Sequence, residues 1–310
     1  MRLWLWAWLV IASPAQAGDL AFITSQNGNQ VSIIDLQTRT IIAKTILADA
    51  PAPVAYDPAS ARAYVIAADS GRLSVIDETG TLIDHRDLGS GAFGIAAIPD
   101  AGLLVTDWYG DRVMRLDMNL AEIWVARTGR IPSGVAISED GALVATADRD
   151  DNAISLFAAE TGRFIRKIST FGEHPFAVTF HDGKLFSADV LGDAVSVMDP
   201  GSGALLGHVD TGKRPYGIAF SSGLGFVTNQ YSGTVTVFDP ETLTAVASID
   251  VGDYPEGIAP MPDGSGVVLA NWDSDTVMVI DGDDLAVAAE IEVPAGPRAF
   301  GRFTGRQVLP

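Results

Sequence analysis

Four histidines, no cysteine and a large excess of acidic over basic residues bound the chemistry open to this chain. His174 is the histidine best placed for it, in a loop just before Pro175. An imidazole there can act as an acid or base, bind a haem iron axially, or be a plain loop residue. Related loops carry Arg130, Lys213, Arg214, Glu256 and Arg298, and Arg149 joins them from a neighbouring type of loop. Glu256 and Arg298 occupy equivalent positions and are expected to pair. Asp107, Asp148 and Asp189 recur at a spacing of 41 residues, and Asn229 and Asn271 continue the series. Three carboxylates in register form an arc that attracts a cation. The same residue types also cap turns and satisfy loop amides. No Asp-x-Asp loop supports a calcium site, and no metal is assigned. Trp108, Tyr109, Tyr231 and Trp272 follow this position and offer a stacking or partner surface, with Tyr216 beside Pro215.

Several reaction classes are excluded. The chain has no Gly-x-Ser-x-Gly elbow, no His-Glu-x-x-His and no Gly-Lys-Ser/Thr phosphate loop. Without cysteine there is no thiol nucleophile and no Cys-x-x-Cys-His for covalent haem. The formal charge of −19 opposes nucleic acid and anionic membrane as partners.

The elements that position these residues repeat. Asp35, Asp77, Asp117, Ala158, Asp199, Asp239 and Asp281 each end a short apolar run, at spacings of 40 to 42 residues. Pro51, Pro132, Pro175, Pro215, Pro255 and Pro297 recur with the same period, Ala92 taking the slot once. Within a unit the runs alternate with period two and are separated by turn residues such as Asp140-Gly141, Asp182-Gly183 and Asp263-Gly264. A period near 40 in an all-β chain predicts a seven-bladed β-propeller of four-stranded blades. Strands A begin near Val54, Ile95, Val135, Val178, Ile218, Ile258 and Phe300. The chain starts on a B strand and ends on an A-like segment, Pro297 to Phe303. That segment is predicted to complete the first blade and close the ring. The D–A and B–C loops then share an upper face, which carries His174 as its only histidine. His85 and His208 fall on outer strands, and His181 on a lower turn. Residues 1–17 read as a signal peptide, with Arg2, an apolar stretch and Ala15-Gln16-Ala17, leaving 18–310 as one propeller domain. The mature chain is expected to be periplasmic or secreted, free of the membrane, with Gly18 first.

Phe226-Val227-Thr228-Asn229, Thr234 to Asp239, Pro255-x-Gly257 and Pro262-Asp263-Gly264 resemble the YVTN-repeat β-propeller family across the chain. The resemblance implies a seven-bladed propeller. Wider relatives include amine dehydrogenase heavy chains, the haem-binding propeller of nitrite reductases and phosphogluconolactonases, so it implies no single activity. Blades this regular favour a non-catalytic binding or accessory protein, holding a small ligand or a segment of a periplasmic partner in its upper funnel. The alternative is a lactonase- or lyase-type enzyme, or a carrier of a haem-like cofactor, using His174 and the carboxylates. No cofactor is specified. The expected site residues are Asp107, Trp108, Asp148, Arg149, His174, Asp189, Arg214, Tyr216, Asn229, Glu256, Trp272 and Arg298.

Overall fold

The computed structural model describes residues 18–307; the expected signal segment lies outside them. Seven four-stranded antiparallel sheets form the blades of a β-propeller, each ordered A to D from the axis outward. Blade 1 takes B, C and D from Asp19–Ser25, Gln30–Asp35 and Thr40–Ile46, and A from Thr304–Arg306. Strands A of blades 2 to 7 are Pro51–Asp57, Ala92–Ile98, Pro132–Ile137, Pro175–His181, Pro215–Ser221 and Pro255–Pro260. They open at the proline position, three residues before the expected starts. In each, the first residue opposes the last residue of strand B, and the register then slips before the regular ladder begins. That bulge hides the opening residue from a reading based on alternation.

Ring closure follows the expected topology with a different register. The three-residue ladder pairs Thr304–Arg306 with Asp19–Ala21. Pro297 only bridges Ser25, and Phe300 bridges Pro53 of blade 2. The segment between is shared: Arg298 N–H donates to the Thr24 carbonyl, while Val54 and Tyr56 N–H donate to the carbonyls of Phe300 and Arg302, all at 2.9 Å. The final strand therefore wedges between two blades.

Strands B and C are almost wholly buried, whereas strands D alternate and expose most of their length. Apolar residues gather between adjacent blades. The largest cluster spans blades 7, 1 and 2 and includes Ala299 and Phe303 of the closing segment. The closing segment approaches strand A of blade 7 so closely that Gly257 has no room for a side chain; a Cβ there would lie 2.1 Å from the Ala299 carbonyl oxygen. The glycine of the Pro-x-Gly motif thus lets the blades pack around a narrow axis.

Candidate functional site

Two repeat positions build the mouth of the axis. The residues immediately before the A-strand prolines form a rim, and those immediately after form the floor. At the rim stand Ala50, Gly91, Ile131, His174, Arg214, Tyr254 and Gly296. His174 and Arg214 hold φ of 55° and 59°, a left-handed conformation that costs a residue with a side chain about 1 kcal/mol or more. The backbone is held there by the preceding blade. Asn152 Oδ1 accepts the His174 N–H and Asp193 Oδ1 accepts the Arg214 N–H, each at 2.9 Å. Asn29, Asp111 and Asp275 bind Ala50, Ile131 and Gly296 in the same way. These Asx residues, each four positions after the end of strand B, were not among the expected site residues. Their period of about 40 is the signal that exposes them.

The floor is aromatic. Phe93, Phe176 and Tyr216 occupy the slot after the A-strand opening, and Phe300 joins them. Ring centroids lie 4.1 Å apart for Phe176–Tyr216, 4.9 Å for Phe176–Phe300 and 5.6 Å for Phe93–Phe300. The same slot supplies Glu256 and Arg298, the expected pair. Arg298 Nε lies 2.5 Å from Glu256 Oε2, and its Nη2 donates to the Tyr216 hydroxyl at 2.6 Å. Gln230 donates to Glu256 Oε1 at 2.8 Å. Burial pushes the Glu256 carboxyl up, and Arg298 opposes the shift. Burial likewise pushes the Tyr216 phenol up, so it stays neutral.

Above this floor opens a cavity of about 420 Å³. Of the expected residues, Trp108, Arg149, His174, Arg214, Tyr216 and Arg298 line it. Among the described residues, the Arg214 guanidinium and the His174 imidazole make no hydrogen bond or ion pair. Arg149 has only Asp150, at 3.9 Å. Arg149 lies over Trp108 at 6.0 Å and Arg214 over Tyr231 at 5.1 Å. Among the described residues, no carboxylate lines the cavity.

The expected carboxylate arc is not part of the funnel. Asp107 accepts N–H bonds from Tyr109 and Gly110 and pairs with Arg112 at 2.8 Å. Asp148 accepts from Thr146 at 2.8 Å and from Ser155 at 2.5 Å. Asp189 accepts from Ser187, Ser196 and the Gly172 N–H. Asn229 donates instead, to Thr234 and Thr236. All four turn towards a glycine of the incoming loop: a Cβ on Gly129 would lie 2.6 Å from Asp148 Oδ2. They are loop anchors, sheltered from water. Burial drives the Asp148 and Asp189 carboxyls up to about 6. Glu256 lies behind Arg298, outside the cavity lining, and Trp272 stands beside Tyr254, also outside it. Arg130 and Lys213 are neutralised by Asp151 and Asp193. On the lower face, ligand atoms of Glu139, His181 and Asp182 fall within 4.8 Å of one another.

No family model matches the chain, and neither does any curated protein. The YVTN-repeat resemblance therefore rests on its motifs alone. Solved structures match the fold. A functionally unknown protein from Desulfotomaculum acetoxidans DSM 771 superposes with a TM-score of 0.78 at 17% identity, covering 94% of this chain and 99% of its own. Hydrazine synthase of Kuenenia stuttgartiensis gives 0.71 at 19%, covering 80% and 88%. The dihydro-haem d1 dehydrogenase NirN in complex with DHE gives 0.70 at 13%, covering 94% and 77%. At these identities the likeness defines the class of protein, a seven-bladed β-propeller, and carries no activity across.

Proposed function

We propose that this propeller is a non-catalytic binding protein whose upper funnel holds a small molecule. One observation carries the reading. Arg149, His174 and Arg214 converge on an aromatic-floored cavity with their hydrogen-bonding capacity unused, and two of them stand on a strained backbone. Polar side chains are seldom left without partners at a strained position unless function uses them. A second reading, a tetrapyrrole carrier, is supported by His174 as the only histidine lining the cavity and by the DHE bound to NirN.

The test separates binding from folding. Glycine at position 174 or 214 relieves the backbone and keeps the Asx bond to its N–H. His174→Gly and Arg214→Gly should therefore change stability by no more than about 1 kcal/mol. Native mass spectrometry of protein recovered from its own host should find a small molecule on the wild type that both variants lose. A visible absorption band in that material would select the tetrapyrrole. Variants that keep the molecule, or wild type that never carries one while a partner protein holds the outer strands, would overturn the reading.

A further inference from the structure

The cavity is lopsided, and its asymmetry describes the molecule it would take; this step rests on the reading of the funnel as a ligand site. Among the described lining residues, guanidinium and imidazole groups that make no side-chain hydrogen bond lie on one arc. Arg149 comes from the B–C loop of blade 4, and His174 and Arg214 from the loops entering blades 5 and 6. Arg298 adds N–H donors, but Glu256 cancels its charge at 2.5 Å. Across the cavity, blades 2 and 3 contribute Ala68, Ser90, Gly91 and Ala92. At the rim position where blades 5 and 6 carry His174 and Arg214, blade 3 has Gly91. A side chain is barred there, since a Cβ would lie 2.0 Å from Asp107 Oδ1. The buried Asp107 anchor thus holds that wall open.

The geometry points to a flat, largely apolar molecule bearing an anionic group at one edge. Its body would lie over Phe93, Phe176 and Phe300, extending towards Ala68 and Gly91. Its anionic edge would meet Arg149, His174 and Arg214. A guanidinium is planar and donates in parallel pairs, which suits a carboxylate or sulfonate. Such a charge-assisted bond discriminates against a neutral molecule of the same shape. In a chain of net charge −19, this selection needs a local reversal of sign, and the acid-free lining provides it.

Two fluorescent probes of similar body test it: 8-anilinonaphthalene-1-sulfonate, which carries an anion, and N-phenyl-1-naphthylamine, which does not. The sulfonate should bind the wild type more tightly, and added salt should weaken it. The double variant Arg149→Gln, Arg214→Gln should weaken sulfonate binding about tenfold or more and leave the neutral probe within about twofold. Ala68→Trp, which fills the open wall, should exclude both. If Ala68→Trp excludes both probes but the glutamine variant leaves their ratio unchanged, the ligand class falls and the binding funnel stands. If Ala68→Trp affects neither probe, the funnel is not where they bind and both readings fall.

Discussion

Deletion of Pro297 to Pro310 is expected to leave a chain with no cooperative thermal transition. The closing segment supplies the inner strand of blade 1 and seals the seam with blade 2. Its loss frees the Phe22 N–H from the Phe303 carbonyl, and the Val54 and Tyr56 N–H groups from Phe300 and Arg302. Each unpaired buried donor costs about 1–3 kcal/mol. Ala299, Phe300 and Phe303, all buried, leave a breach in the largest apolar cluster and in the funnel floor. Arg298 goes with them, stranding Glu256, which is only 3% exposed. Breaking a buried pair in this way costs about 3–5 kcal/mol by itself. These terms alone are comparable to the roughly 5–15 kcal/mol that stabilises a typical domain, before the lost apolar burial is counted. Circular dichroism and differential scanning calorimetry read the outcome; a truncated chain melting at the wild-type temperature would show that closure lies elsewhere.

The second large effect is on pH dependence. Asp148 and Asp189 have carboxyls raised from 3.8 to about 6, first by desolvation. A folded-state pKa above the unfolded one means that the folded chain holds the proton more tightly. Stability from these groups is complete below the unfolded value and is lost as pH rises through about 6. A shift of this size corresponds to about 3 kcal/mol for each group. Asp151 works the other way. Lys167 lowers it to about 2, so its contribution is present above the unfolded value and lost as pH falls through that range. Stability should therefore peak at mildly acidic pH. Asp148→Asn with Asp189→Asn should stabilise the protein at pH 8 by several kcal/mol and flatten the decline above pH 5. Asn229 shows that an amide fits this position, donating to Thr236 where Ser155 donates to Asp148. Urea denaturation of both proteins at pH 5 and pH 8 decides it; a double variant less stable at pH 8 would contradict it.

The blade plan was legible because the repeat aspartates and A-strand prolines do covalent and hydrogen-bonding work in nearly every unit, Ala158 and Ala92 being the exceptions. Asp35, Asp239 and Asp281 bind the amides of the C–D turn that follows them. The funnel was half legible. Arg149, His174, Arg214 and Arg298 were found because loops belong to one face by topology. Asp107, Asp148 and Asp189 were placed wrongly because spacing gives a position along a strand and not the side its carboxylate turns to. Here packing against loop glycines chooses that side. Phe93, Phe176 and Phe300 escaped notice as apolar residues among many. Aligning Phe93 and Phe176 with Glu256 and Arg298, whose equivalence was plain, would have put them at the axis. Phe300 could not be found that way, since it enters through the wider slip of the closing strand.

The Asx bonds to the rim have one more consequence. They hold the main chain and ignore the side chain it carries, so each rim position they bind resembles a socket whose fitting can be exchanged without rebuilding the frame. Ala50, Ile131 and Gly296 sit in sockets of the same pattern as His174 and Arg214. A lineage, or an engineer, can therefore rewrite what the ring recognises one residue at a time while its architecture stays still. Ile131, next to His174 around the ring, is the position from which the cationic arc would most directly grow.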